Sequence, residues 1–270
     1  KVNIQMKLTV ISKDKVDELV PNIAKFANTQ NPVNAADLFS NHPYHQRIEQ
    51  LSRKNIPPSP DSTGGLGKWF YERSRGQYLN EQNDKTPAEK KAFQKDYPKV
   101  KLITKTDLAL ILNAWEEKPF DVSKGAQANF KKFAETLKPS ENWDSNNAQY
   151  NDGYFTRFIA KAIVMKELRK KIPQQVWYEG FPANIVAYSI SWLAHCMKTW
   201  DVELNASMIW RSQQCPEKLL SMLLLIAKDV NDHILAEQGN PTTYAKSDRC
   251  WKTLKNNSSN HVDQVYLAHY

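Results

Sequence analysis

The stretch that leaves this chain least freedom is Leu219-Leu220-Ser221-Met222-Leu223-Leu224-Leu225-Ile226-Ala227. It is apolar nearly all round a helical wheel, so it predicts a helix enclosed by other helices. That helix starts near Pro216 and stops at Gly239-Asn240-Pro241. Its companions are legible nearby. Phe155, Phe158, Ile159, Ala162 and Ile163 mark one helix over 154–172, and a second runs from Pro182 to about Trp200. A shorter piece follows over 243–255. Residues 139–270 therefore read as a helical bundle. The apolar runs near 183–197 and 219–227 are too short, or too interrupted by Asn, Ser and His, to span a bilayer, so no membrane partner is expected.

The first half is built differently. Apolar side chains alternate from Val2 to Val10, which predicts a half-buried strand. A strand formed so early needs sheet partners, and later stretches offer few. The chain thus reads as the C-terminal piece of something longer, whose absent N-terminal part is an expected partner. Val16, Leu19, Val20, Ile23 and Phe26 continue at helical spacing into Asn28-Thr29-Gln30-Asn31-Pro32. Ser40 or Asn41 is expected to cap a helix lined by Tyr44, Ile48 and Leu51. Thr86-Pro87-Ala88-Glu89 and Thr104-Lys105-Thr106-Asp107 are capping boxes, the second following a short strand over Val100–Ile103. Ser123 is expected to cap a further helix. The fold class is therefore α+β, predominantly α-helical. It has a small mixed sheet in the N-terminal half (residues 1–138) and a helical bundle in the C-terminal half (139–270). The polar, turn-rich segment 138–153 lies between them.

Charge follows the same division. Residues 1–138 carry 23 Lys+Arg against 16 Asp+Glu, and residues 139–270 carry 14 against 13, which accounts for the net +8. A basic half points to an anionic partner, nucleic acid before membrane. Cys196, Cys215 and Cys250 are far apart and odd in number, so they form no disulfide framework and suit a reducing, cytoplasmic setting.

The densest chemistry lies in Gly67-Lys68-Trp69-Phe70-Tyr71-Glu72-Arg73-Ser74-Arg75-Gly76-Gln77-Tyr78. Aromatic faces stack on bases, and arginine forks match phosphate oxygens. The same letters also make an amphipathic strand with Trp69 and Tyr71 on one face and Lys68, Phe70 and Glu72 on the other. No phosphate-binding GxxxxGK[ST] loop is present. His42 and His45 lack a third metal ligand. Asp107, Glu116 and Lys118 superficially match the D…ExK set of metal-dependent nucleases, but this ExK ends a helix instead of lying on a buried strand. His195 beside Cys196 reads as core packing. No catalytic set and no cofactor are expected.

Five stretches in order carry a resemblance to a known family: Ile4–Ile11, Lys25–Val33, Asp37–His45, Lys68–Tyr78 and Ile103–Leu108. Together they resemble the abortive infection phage resistance (AIPR) proteins. The remainder is similar to that family's more variable helical portion. The resemblance implies bacterial antiviral defence in which an infected cell sacrifices growth. It also implies that a restriction-nuclease-like region and an Asn-Gly-x-Gln-Thr motif precede this part in full-length members; neither occurs in this chain. The opening strand–helix–Asn-Thr-Gln segment is distantly similar to ParB-like and DGQHR-motif proteins, which adds Asn28 and Gln30 to the candidate contacts. The resemblance favours Lys68, Trp69, Tyr71, Arg73, Arg75 and Tyr78 as ligand contacts. Lys68, Arg73 and Arg75 would pair with phosphate, Trp69 or Tyr71 would stack, Glu72 would steady an arginine, and Arg47 on the preceding helix joins them. The function so implied is a nucleic-acid or nucleotide-binding, sensing region without its own catalytic centre. Two alternatives stay open: a metal-dependent nuclease fragment using Asp107, Glu116 and Lys118 or the histidines, and a helical protein-interaction module, including a homo-oligomer.

Overall fold

The fold is that of a computed structural model, which describes residues 8–16, 19, 20, 23, 35–58, 67–137, 143, 147–256 and 262–269. The opening strand expected over 2–11 lies mostly outside these. Its described part, 8–11, is in no strand, and Leu8 and Val10 are exposed.

The N-terminal half builds from α1 (Ala35–Leu38), α2 (Pro43–Lys54), β1 (Phe70–Glu72), α3 (Gln77–Asn80), α4 (Pro87–Asp96), β2 (Leu102–Thr104), α5 (Lys105–Trp115), α6 (Pro119–Ser123) and α7 (Ala126–Ala134). The strands pair in parallel, with Phe70 opposite Leu102, Tyr71 opposite Ile103 and Glu72 opposite Thr104. Parallel neighbours need a crossover, and α3 and α4 supply it. Gly67 leads into β1 at φ 69°, where a Cβ would stand 2.5 Å from Pro98 Cδ, so the close approach requires glycine.

Both predicted capping boxes form, at Thr86 with Glu89 and at Thr104 with Asp107. Two other caps differ from expectation. His42 caps α2 through Nδ1, which accepts from the Tyr44 N–H, in place of Ser40 or Asn41. Ser123 ends α6, and Gly125 precedes α7.

The C-terminal half is helical: α8 (Asp152–Lys171), α9 (Pro182–Thr199), α10 (Ala206–Ser212), α11 (Glu217–Leu235), α12 (Pro241–Ala245), α13 (Asp248–Asn256) and α14 (Gln264–His269). The central helix is α9, not α11. Every residue from Asn184 to Leu193 is buried, whereas Leu225 of α11 is half exposed. Serines conceal this in the sequence. Ser189 bonds its own helix at the Ile185 carbonyl, and Ser191 donates to the Ala114 carbonyl of α5, so both hydroxyls are satisfied at full burial. One apolar core runs from Ala36 and Tyr44 through Trp115 and Phe158 to Trp251. Among the described residues no helix is long and apolar enough to cross a membrane.

Candidate anion-binding cleft

Strand β1 is buried on both faces, and this decides what its aromatic residues do. Trp69 and Tyr71 join the main core. On the other face Phe70 packs edge-on against Tyr78 and Tyr97, with the Arg53 guanidinium 3.7 Å from its ring centroid. The polar tips are satisfied internally. The Trp69 Nε1–H donates to Gln213 Oε1 (2.8 Å), Tyr78 OH donates to the Tyr97 carbonyl (2.7 Å), and Tyr71 OH lies 2.6 Å from His45 Nδ1. The stacking expected of Trp69 or Tyr71 is therefore corrected: both rings are at most 5% exposed and present no face to a ligand.

The basic residues divide. Lys68 precedes β1 and Arg73 follows it, about 16 Å apart at strand rise; Lys68 lies 5.9 Å from the Tyr97 ring centroid. Arg47 donates to the Tyr150 carbonyl (2.9 Å) on an exposed face. Asn28 and Gln30 lie outside the described residues. Arg73 and Arg75 do come together, beyond the C-terminal end of β1. The end of β2 adjoins them, and there Lys105 opens α5. The crevice outside the carboxyl ends of parallel strands is where open α/β sheets bind ligands. Here it is a cleft of about 100 Å³ lined by Asp37, Glu72, Arg73, Arg75, Lys105 and Gln127, among others.

Each cation is held differently. Arg73 is fixed by Glu49 (Nε to Oε2, 2.8 Å), the Ser40 carbonyl (2.6 Å) and Asn41 Oδ1 (2.9 Å). The residue that holds the arginine is thus Glu49, not Glu72. Glu72 instead accepts from the backbone N–H groups of Gly76 and Tyr78, both at 3.1 Å, and so shapes the turn that presents Arg75. Arg75 is largely exposed and reaches Asp37 Oδ2 at 3.3 Å. Lys105 is 5% exposed, donates to Ser40 Oγ and lies 4.0 Å from Asp37 Oδ1. Burial brings its ammonium down to about 8; Asp37 opposes that shift, while Arg73 and Arg75 add to it. The Asp37 carboxylate thus sits between Arg75 and Lys105.

Lys105 and Asp37 were not singled out in the sequence. The available signal was a capping box directly after a short strand, which places a helix start at a strand's carboxyl end. Asp37 comes from a separate stretch, and its arrival is a tertiary fact.

The nuclease-like set is not assembled. Asp107 Oδ2 accepts from the N–H and Oγ1–H of Thr104, and Glu116 lies at the far end of the same helix. Nine residues at helical rise separate them by roughly 13 Å. Among the described residues no group of three His, Cys, Asp or Glu is placed to hold a metal ion. His195 pairs with Glu117 (2.8 Å), and burial raises the thiols of Cys196, Cys215 and Cys250 to about 11, 12 and 11, which keeps them protonated.

A protein-family model described as AIPR protein matches residues 1–238, well beyond the first 138 residues that carry the legible motifs. No curated protein and no solved structure gives a significant match.

Proposed function

Since the chain belongs to the AIPR family, associated with abortive infection and phage defence, we propose that this part of it is a non-catalytic sensing region that grips a phosphate of a nucleic acid or nucleotide. The observation that carries the reading is the meeting of Arg73, Arg75 and Lys105 beyond the ends of two parallel strands. The size of the cleft limits what enters. About 100 Å³ admits one phosphate group and leaves base and sugar outside. Arg75 supplies an exposed guanidinium fork, Lys105 a desolvated point charge, and Arg73 a fixed positive wall. Binding displaces Asp37 from Arg75 and Lys105. With backbone phosphate as the shared feature and no aromatic side chain among the described residues that line the cleft, recognition is of the phosphate and not of base sequence.

Fluorescence anisotropy with labelled single- and double-stranded DNA and RNA, over a salt series, tests this. The expected result is binding that weakens steeply with salt. Arg75→Ala should weaken it further and reduce the log–log salt slope by roughly one. Binding indifferent to both salt and Arg75→Ala would refute it.

A further inference from the structure

A larger cavity lies away from the cleft, where α8, α9 and the start of α10 meet the end of α5. It measures about 320 Å³, within the usual range for small-molecule sites. Its walls are of two kinds. Trp115, Met197, Val202 and Leu204 supply apolar surface. Arg157, Lys161 and Lys198 supply three positive charges, against one carboxylate, Glu203. Among the described residues only one of these cations enters an internal ion pair. Among the described residues Arg157 and Lys161 make none, and the mostly exposed Lys198 reaches only Glu117 at 3.7 Å. Lys161 is half-buried, with its ammonium 5.5 Å from the Trp115 ring centroid. Burial lowers its pKa, Glu116 and Glu203 oppose that shift, and an arriving negative charge would oppose it further.

From this juxtaposition we infer that the cavity is a second binding site, for a small organic anion with a flat apolar body and an acidic group. The body lies against Trp115 and Met197, and the acidic group faces Arg157 and Lys161. Unlike the phosphate cleft, this site asks for apolar bulk as well as charge. It shares no residue with the cleft and stands or falls independently of it.

The test uses two probes of one shape: 1-anilinonaphthalene-8-sulfonate, which is anionic, and N-phenyl-1-naphthylamine, which lacks the sulfonate. The full chain is titrated with each by fluorescence. The sulfonate should bind saturably at one site, and more tightly than the neutral probe. An Arg157→Gln/Lys161→Gln double variant should lose at least about tenfold in sulfonate affinity and leave the neutral probe nearly unchanged. Ala194→Trp, at a partly exposed position on the cavity wall, should fill the space and abolish binding of both. Equal affinity of the native chain for the two probes would overturn the inference. So would sulfonate binding within twofold of native in both variants.

Discussion

His45 makes the sharpest stability prediction. Its ring is fully buried, stacked between Tyr71 and Phe130, with Nδ1 2.6 Å from Tyr71 OH. Its Nε2 is buried with no hydrogen-bond partner among the described residues. Burial first, then the nearby charges of Lys105, His42 and Arg73, lowers its pKa from 6.5 to about 3. The folded pKa lies below the unfolded one, so the neutral ring contributes fully above about pH 6.5. That contribution is lost as pH falls towards 3, because the unfolded chain takes up a proton the folded chain refuses. At pH 5.0, 1.5 units below the unfolded value, the loss is about 2 kcal/mol at 1.36 kcal/mol per unit. Urea unfolding followed by tryptophan fluorescence at pH 7.5 and 5.0 measures it. His45→Gln serves as reference, since glutamine can still reach Tyr71 OH and does not titrate. Carboxylate contributions are common to both chains and cancel in the double difference. The native chain should lose about 2 kcal/mol more than the variant between the two pH values. Parallel losses, within about 0.5 kcal/mol, would show that His45 is charged or solvated in the fold and would refute the reasoning.

Other outcomes follow from the same packing. Arg73→Ala should cost about 1–3 kcal/mol in urea unfolding, because it breaks the ion pair with Glu49, which keeps only Gln77 and Arg53, and the tie to Ser40 and Asn41. Arg75→Ala, at an exposed residue, should leave the unfolding midpoint unchanged, which makes it the clean probe of binding. Asp37→Asn should raise phosphate-ligand affinity about tenfold in anisotropy, since it removes the internal carboxylate beside Arg75 and Lys105. Lys166→Met should destabilise by about 1–2 kcal/mol in thermal or urea unfolding, because Lys166 Nζ donates to the carbonyls of Val100 and Leu102 and ties α8 to β2.

Local signals were legible wherever the cause was local. The boxes at Thr86 and Thr104 form because their partners lie three residues away. The alternation from Trp69 to Glu72 identifies a strand, and the helices of the second half follow their apolar spacing. What misled was the meaning of the aromatic-basic stretch. An aromatic strand beside arginines suits a stacking surface as well as a strand buried on two faces. Only the arrival of Tyr78 and Tyr97 over Phe70, and of His45 over Tyr71, decides for the second. The ownership of Arg73 is equally non-local, because Glu49 lies on α2, 24 residues earlier. Centrality passed to α9 because buried serines read as polar until their carbonyl partners are seen.

The most direct test of the phosphate cleft is its pH dependence. Lys105 carries a pKa near 8 in the unliganded fold, so its charge is largely present at pH 7 and largely gone at pH 9. An oligonucleotide without terminal phosphates keeps constant charge on its backbone over this range. Its affinity for the native chain should fall by up to about tenfold from pH 7 to 9, while Lys105→Arg, which stays charged, should hold its affinity. A flat native profile, or an equal fall in Lys105→Arg, would contradict the placement of the phosphate at Lys105.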